Sequence, residues 1–539
     1  MKTQMSELLL GIVLNAHLPF VKHPERDRIL EDDWLFSGIT ETYLPMLGLF
    51  RRLEEAEVPF KLTLSVSPTL LAMLLDPFLQ ERYVRHLERL IRFADLEVER
   101  TGGEPRLNEL ARMYRGFFQD AYELYELQCR RNIVEPLKQL QQRGFLNIIT
   151  TSATHAFLPL FEAYPDAVDA QILLAVQEHE RIFGARPKGF WLPECGYFPG
   201  LEEMLKRRGI EYFFVDAHAI CHAEERPRYG VYGPLACRNG VAAFGRDPQT
   251  SSMVWSAEEG YPGDISYRYF YGDIGFELPL SDIEWYMIDG SIRTSTGIKY
   301  RANADGGKAL YDREAALTKT EEHAENFLYR CLNLQTVLQK HVDRRPMVVC
   351  PFDAELFGHW WFEGLVWLET VLRKCCTAEF PLRLSFPSDY LAAYPENQRA
   401  TPCFSSWGSK GYSEVWLNGS NDWIYRHVHK ATERMAQLVQ MFPKTNGIRR
   451  RMLNQAAREL LLMQASDWAF IMKTGTTVPY ARRRTREHIH NFSRFYEALL
   501  ANHVDMEWLA RLERKNSVFP DMDYRVFSSS EPTTQASND

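Results

Sequence analysis

The sequence repeats one order of elements along its first two thirds: an apolar strand-like run, a polar segment, and in most cases a helical stretch. Six such runs lie at 8–14, 60–66, 145–149, 189–192, 212–215 and 347–350. Strands that alternate with helices are typical of parallel α/β folds, and in α/β barrels the carboxyl ends of the strands carry the functional groups. The sequence therefore predicts an α/β fold whose chemistry lies at that edge.

One carboxylate, Glu194, stands out at such a strand end. It closes the apolar stretch Gly189-Phe-Trp-Leu-Pro-Glu-Cys-Gly-Tyr197. Pro199 suits the first position of a following helix, and Gly209 suits its end. We therefore expect Glu194 to lie between a strand and a helix, at an active-site edge. A buried structural glutamate is the alternative interpretation.

Three other polar residues also fall at predicted strand ends, namely His17, His155 and Asp216. Polar residues scattered through a core would not share one edge, so the coincidence favours a functional role. Each histidine could hydrogen-bond a sugar hydroxyl or ligate a metal ion. A metal-dependent carbohydrate deacetylase or hydrolase that uses these three residues is therefore one hypothesis.

A second carboxylate, Asp353, follows the strand run at 347–350. A glycosidase needs two carboxyl groups beside the bond it cleaves, one as nucleophile and one as general acid/base, and Glu194 with Asp353 matches that need. Glu355 is two residues further on, so an extended backbone would place it on the same face as Asp353. The residues alone leave Glu355 open as an alternative to Asp353.

The chain divides into a predicted barrel at 1–400, a helical domain at 401–525 and a tail at 526–539. Helical periodicity at about 69–143 is too long for one crossover helix and predicts a helical insertion. Residues at about 220–310 are rich in Gly, Pro, Tyr and Asp, which predicts long loops over one face. The tail is rich in Ser and Thr and is predicted to be disordered.

Composition and charge exclude some classes of partner. The net charge of −8 disfavours nucleic acid and anionic membranes as main partners. No run reaches the roughly 18 apolar residues of a membrane-spanning helix. Nine cysteines without a C-x-x-C pair predict neither a disulfide framework nor a zinc ribbon, and favour a reducing, cytoplasmic compartment. The 12 tryptophans and 25 tyrosines suit a sugar-binding site or simply a large core.

Five segments together carry a resemblance to a known family. They are Asn15-Ala-His-Leu-Pro-Phe20, Thr154-His-Ala-Phe-Leu-Pro-Leu160, Trp191-Leu-Pro-Glu-Cys-Gly-Tyr197, Phe352-Asp-Ala-Glu-Leu-Phe-Gly-His-Trp-Trp361 and Ser466-Asp-Trp-Ala-Phe470. In this order the segments resemble glycoside hydrolase family 57, and within it the 1,4-α-glucan branching enzymes. The family also holds α-amylases and 4-α-glucanotransferases, which are the alternatives.

The resemblance implies a distorted (β/α)7 barrel with a helical C-terminal domain that contributes to the cleft. It implies a retaining mechanism without metal or other cofactor, in which Glu194 is the nucleophile and Asp353 the acid/base. The substrate would be an α-glucan such as amylose or glycogen. The residues expected to bind or surround it are His17, His155, Arg268, Trp360, Trp407, Trp416 and Asp467.

Two positions depart from the family pattern, and one loop of the family has a counterpart here that contains two tyrosines. Asn15 stands where the first motif commonly has a histidine, and Thr476 stands where related branching enzymes often have a glucan-binding glutamine. Those enzymes also carry a loop tyrosine that favours transfer over hydrolysis, and the corresponding region here, about 226–239, contains Tyr229 and Tyr232. The resemblance thus predicts an enzyme that cleaves an α-1,4 bond and forms an α-1,6 branch through a covalent glycosyl-enzyme.

Overall fold

The computed structural model describes residues 7–256, 259–375 and 377–528. Most of the predicted tail at 526–539 lies outside these residues, and only 526–528 are described, at the end of a 3₁₀ turn at Tyr524–Phe527. The chain forms two compact units, each built from separate segments. The first unit contains Met1–Leu64, Met73–Ile148 and Arg246–Pro395, and the second contains Ser65–Ala72, Ile149–Gly245 and Glu396–Asp539.

The described residues form nine strands: β1 (Leu8–Ala16), β2 (Leu62–Val66), β3 (Leu146–Thr151), β4 (Gly189–Trp191), β5 (Tyr212–Val215), β6 (Leu235–Ala236), β7 (Ala242–Gly245), β8 (Met347–Asp353) and β9 (Leu382–Leu384). The helices before residue 260 are α1 (Asp32–Ser37), α2 (Leu44–Glu55), α3 (Pro68–Leu74), α4 (Pro77–Arg100), α5 (Pro105–Tyr122), α6 (Val134–Gln142), α7 (Pro165–Phe183), α8 (Leu201–Arg207), α9 (Ala217–Cys221) and α10 (Pro248–Trp255). The later ones are α11 (Ile274–Glu277), α12 (Leu280–Ile283), α13 (Arg313–Leu338), α14 (Gly364–Lys374), α15 (Pro387–Ala393), α16 (Trp423–Met441), α17 (Gly447–Met463), α18 (Ser466–Thr474), α19 (Val478–Leu500) and α20 (Met506–Lys515).

Parallel strands form the core of the first unit. β1 pairs in parallel with β8, with Asn15 opposite Asp353, and also with β9. Every residue of β1 is buried, as expected for a strand of a parallel sheet that is covered on both faces. The predicted helical insertion is present as α4 to α6, of which α4 packs along α5. The register of β1 and β8 brings two predicted strand ends to the same point.

The second unit repeats the parallel arrangement and adds a helical region. β4 pairs with β3 and β5, and β5 pairs with β7, all in parallel. Only the short β6, which pairs with β7, is antiparallel among the described pairs. Helices α16 to α20 follow at the C-terminus, where α17 packs against α19. The predicted α/β class with a helical C-terminal region is confirmed.

Two local predictions near the site are wrong. Pro199 is not the first residue of a helix, because Gly200 takes a left-handed conformation (φ 103°) and α8 begins at Leu201. Asp353 and Glu355 do not lie on one extended strand, because β8 ends at Asp353 and Ala354–Leu356 form a 3₁₀ turn.

No helix among the described residues is long and apolar enough to cross a membrane.

Candidate active site

Glu194 lies on a strained turn in the second unit. It follows β4 in the 3₁₀ turn Pro193–Cys195, and its backbone is left-handed (φ 61°, ψ 22°), as is that of Cys195 (φ 51°). Such a conformation is uncommon for residues other than glycine, and observed strain of this kind clusters at functional sites. The turn places Glu194 beyond the strand end, where its carboxylate meets other segments.

Two side chains donate hydrogen bonds to the Glu194 carboxylate. Trp407 Nε1 donates to Oε2 at 2.7 Å, and Ser466 Oγ donates to Oε1 at 3.0 Å. The backbone N–H of Trp407 also donates to the Glu194 carbonyl oxygen at 2.8 Å. Hydrogen bonds to a carboxylate favour its ionised form and fix its orientation. The arrangement suits a nucleophile that must stay charged and aimed.

His155 supports the same group from a second strained position. Its backbone is left-handed (φ 54°), and its carbonyl accepts a hydrogen bond from the Ser466 N–H at 3.1 Å. His155 Nδ1 lies 3.1 Å from Ser466 Oγ and 3.8 Å from Glu194 Oε1. The start of α18 is thereby tied to the loop after β3, and both face the carboxylate.

Asp353 occupies the corresponding strand end in the first unit. The side-chain amide of Asn15 donates to Asp353 Oδ1 at 3.4 Å, a long contact between neighbouring strand ends. Asp353 is partly exposed, whereas Glu355 is buried. A reacting group must be reachable, so the structure favours Asp353 over Glu355 for contact with a substrate.

The carboxyl group of Glu355 is buried and hydrogen-bonded within the first unit. Its Oε1 accepts hydrogen bonds from the Tyr43 hydroxyl and from the His17 backbone N–H, the latter at 3.1 Å. Burial raises the pKa of Glu355 to about 8, and the charge of Asp353 adds to this increase against the opposing effect of Tyr43. Glu355 therefore keeps its proton at neutral pH and supports the backbone at His17.

Arg268 is buried beside an acidic residue of the first unit. Its Nη2 lies 3.7 Å from Glu41 Oε2 and donates to the His359 carbonyl oxygen at 3.4 Å. Burial opposes ionisation, but the charge of Arg268 and a hydrogen bond from His359 lower the pKa of Glu41 to about 2. Gly358 (φ 97°) allows this close packing, since a Cβ there would lie 1.9 Å from the Glu41 carbonyl oxygen. Arg268 thus organises the loop that follows Asp353.

The other predicted residues occupy varied environments. Trp416 is buried and stacks on Phe157 with ring centroids 4.9 Å apart, so its faces are covered by protein, whereas Trp360 is 48% exposed. Asp467 is partly exposed in the first turn of α18, and Thr476 is exposed just beyond the end of that helix.

The two loop tyrosines also differ in exposure. Tyr229 is buried under the Arg228 guanidinium, 5.2 Å from the ring centroid, and Tyr232 is partly exposed. The backbone N–H of Tyr232 donates to the Tyr229 carbonyl oxygen at 3.1 Å, so the two residues share one turn.

The residues of the metal hypothesis do not form a cluster in the described part of the chain. Asp216 caps α9 through the Ala217 N–H at 2.6 Å, and its Oδ1 lies 3.3 Å from His218 Nδ1. Among the described residues, no group of three or more His, Cys, Asp and Glu side chains could hold a metal ion.

Sequence reasoning missed Ser466, Tyr43 and Glu41. Ser466 begins one of the five family-like segments, which is a usable signal, although attention there fell on Asp467. Tyr43 and Glu41 come from a π-helical turn, Gly38–Tyr43, that no periodicity reveals. Such turns occur often at functional sites.

Comparison of the chain with known protein families identifies its family. Residues 11–401 match the model of glycosyl hydrolase family 57, which is well over half of the chain. The protein belongs to glycoside hydrolase family 57. Residues 427–527 of this family member also match the model of the 1,4-α-glucan branching enzyme C-terminal region. The predicted family is confirmed.

Relatives of this family 57 protein include both branching enzymes and an amylase. A 1,4-α-glucan branching enzyme of Thermococcus kodakarensis is 31% identical over 95% of this chain and 77% of its own length. The crystal structure of an α-amylase from Thermotoga maritima is 43% identical, with a TM-score of 0.90 over 97% of this chain and 99% of that one. A family 57 branching enzyme structure from Pyrococcus horikoshii is 31% identical, with a TM-score of 0.88 and 98% coverage of both chains.

Proposed function

We propose that this protein is a 1,4-α-glucan branching enzyme that acts on amylose or glycogen-like α-glucans. The observation that carries the proposal is the match of residues 427–527 to the C-terminal region of branching enzymes. Similarity to a branching enzyme over nearly the whole chain supports it. The cysteine pattern of the sequence, which contains no C-x-x-C pair, supports a cytoplasmic location.

The chemistry follows from the two carboxyl groups. Asp353 protonates the leaving α-1,4 glycosidic oxygen while Glu194 attacks C1, which gives a covalent glycosyl-enzyme. Asp353 then takes the proton from a glucan 6-hydroxyl, whose oxygen attacks C1 and releases Glu194. The product is an α-1,6 branch. Trp407 and Ser466 stabilise the charge of Glu194 before attack and after its release.

The remaining residues bind or support the glucan in this proposal. Partly exposed His17, Trp407 and Asp467 contact sugar, and exposed Trp360 stacks on it. Buried His155, Arg268 and Trp416 hold their neighbouring loops in place. Tyr229 and Tyr232 shape the loop that restricts water, and Thr476 takes the position that a glutamine has in related enzymes.

An α-amylase is the second candidate. The observation in its favour is the 43% identity to the amylase from Thermotoga maritima, which exceeds the identity to the two branching enzymes compared above. The two activities share the glycosyl-enzyme and differ in whether a sugar hydroxyl or water attacks it. The reaction products therefore decide between them.

The test is to incubate the purified protein with linear amylose and to measure two products. Debranching reveals new α-1,6 linkages, and a reducing-sugar assay counts new chain ends. Linkages in excess of reducing ends are expected for the branching enzyme, and reducing ends without linkages would show the amylase. Redistributed chain lengths with neither product would show a 4-α-glucanotransferase. Glu194→Gln is the inactive control, and activity that survives a strong chelator would contradict the metal-dependent alternative.

A further inference from the structure

A small cavity in the first unit is lined mainly by basic side chains. It lies between α4 and the segment that leads into α1, and its basic residues are Arg28, Arg82, Arg85, His86 and Arg89. The four on α4 recur at intervals of three and four positions, so they share one face of that helix. The cavity measures about 20 Å³, which is room for one species of about the size of a water molecule. Several positive charges therefore face a space for a single small species.

Two basic side chains of the cavity lack a partner. The Arg89 Nε atom is buried without a hydrogen bond, and the Arg89 guanidinium forms no ion pair with any residue that the structure describes. His86 is 6% exposed, and its ring nitrogens have no hydrogen-bond partner in the described part of the chain. Burial, together with the charges of Arg89 and Arg28, lowers the pKa of His86 well below its usual range, so the neutral ring carries one N–H. Because buried donors without an acceptor cost free energy, an acceptor in the cavity would stabilise both side chains.

The acidic residues of the cavity do not neutralise it. Asp32 is already paired with Arg82, whose Nη2 lies 2.5 Å from Asp32 Oδ2. Asp33 accepts a hydrogen bond from the Thr294 hydroxyl at 2.5 Å, and burial raises the pKa of Asp33 to about 7. Asp27, the third acidic residue, is exposed. Four arginines thus face three carboxyl groups, one of which is partly protonated at neutral pH, so the cavity favours an anion over a cation.

The size and charge of the cavity together indicate its ligand. A phosphate group needs room for four oxygen atoms around phosphorus, which a space for one water-sized species does not offer. We propose that the cavity binds one monatomic anion of the size of chloride between Arg28, His86 and Arg89. Arg28 is held in place because its Nη1 donates to the Tyr286 carbonyl oxygen at 2.6 Å, and its guanidinium forms no ion pair among the described residues.

The bound anion would have a physical effect on the fold. The charges of Arg28 and Arg89 repel each other, and an anion between them offsets that repulsion. Because the anion binds the folded chain, it stabilises the folded state in proportion to its occupancy. None of the three binding residues belongs to the candidate active site, so the anion site is independent of the proposed function.

The experiment compares the melting temperature in sodium chloride with that in sodium gluconate at equal ionic strength, because gluconate is too large for the cavity. Chloride is expected to raise the melting temperature of the unchanged protein by about 1–3 °C, with saturation as the site fills. Arg89→Gln removes one guanidinium and should lose most of this rise. In gluconate the melting temperature of Arg89→Gln should be unchanged or higher, because the variant also removes a positive charge beside Arg28.

Arg112→Gln is the matched control, because Arg112 is exposed on α5 of the same unit and lies outside the cavity. It makes the same change in net charge and should keep the full response to chloride. An equal rise in Arg89→Gln and in the unchanged protein would overturn the site. So would a rise that never saturates, since that is the behaviour of general salt screening. Stabilisation by phosphate at lower concentration than by chloride, lost in Arg89→Gln, would overturn the assignment to a monatomic anion.

Crystals of the unchanged protein grown in sodium bromide provide a direct measurement that needs no variant. Bromide replaces chloride and scatters anomalously, so a peak is expected between Arg28, His86 and Arg89. Density for water alone, without an anomalous peak, would overturn the site even if Arg89→Gln fails to fold. Neither measurement uses turnover, so a failure of branching on amylose leaves both results unaffected.

Discussion

The carboxyl groups of Glu194, in the second unit, and of Asp353, in the first unit, differ in their hydrogen-bond partners. Glu194 receives hydrogen bonds from Trp407 and Ser466, which favour the charged form. Asp353 accepts a long hydrogen bond from the Asn15 side chain. The carboxyl group of Glu355, two residues further on, keeps its proton at neutral pH. Glu194 therefore has a hydrogen-bond donor on each carboxylate oxygen, which suits the role of nucleophile proposed for it.

The largest effect is expected at Glu194 itself. Glu194→Gln keeps the shape of the side chain but removes the nucleophile, so branching activity should fall about 1,000-fold or more. The measurement is the rate of new α-1,6 linkages on amylose. An unchanged melting temperature is the control for folding. Activity near that of the unchanged protein would contradict the assignment and with it the comparison.

The next effect tests the hydrogen bonds that hold Glu194. Trp407→Phe keeps an aromatic face but removes the Nε1 donor to Oε2, and a hydrogen bond to a charged group contributes about 1.5–3 kcal/mol. We expect kcat to fall about ten- to hundred-fold, with a smaller change in KM. A rise in KM alone, with kcat unchanged, would mean that Trp407 binds glucan without supporting the nucleophile.

Glu355 provides a test through pH. Its pKa in the folded protein is about 8, above its ordinary value of 4.5, so the unfolded chain releases this proton at lower pH than the folded one. The contribution of this bound proton to the free energy of unfolding is therefore fully present below pH 4.5 and is lost as the pH rises toward 8. Glu355→Gln mimics the neutral carboxyl group, so its melting temperature should rise relative to the unchanged protein between pH 5 and pH 8.

Measurements of kcat provide the control for the melting-temperature test of Glu355. At pH 6, Glu355→Gln should keep kcat within about three-fold, because its amide oxygen can still accept from Tyr43 and from the His17 N–H. Glu355→Ala removes that acceptor and should lose more activity. A Glu355→Gln variant as inactive as Glu355→Ala, with no pH-dependent difference in melting temperature, would show that the carboxylate works in its charged form.

The smallest effect is expected at Asn15. Its contact with Asp353 is 3.4 Å long, against 2.7 Å for Trp407 with Glu194, and a longer hydrogen bond contributes less. Asn15→Ala should lower kcat/KM about two- to five-fold. A loss as large as that of Trp407→Phe would break the contrast, because Asp353 would then depend on a donor as strongly as Glu194 does.

The sequence by itself determined the strand ends and the two carboxyl groups proposed for catalysis. Buried parallel strands are continuous apolar runs, so β1, β5 and β8 and the polar residues after them could be read from local pattern alone. The five family-like segments identified the family for the same reason, since each is short and local. Long, capped helices such as α13, with Asp312 at its N-terminus, were predictable in the same way.

Only the tertiary structure decided what surrounds those carboxyl groups. Trp407 and Ser466 lie 213 and 272 positions from Glu194, and no periodicity pairs residues so far apart. Trp416 and Trp360 look alike in sequence, yet one is covered by Phe157 and the other is exposed. Burial raises the pKa of Glu355, and Tyr43, which donates a hydrogen bond to Glu355, comes from a π-helical turn far away in sequence. Local pattern determines which groups reach the strand ends, and long-range packing determines their charge and exposure.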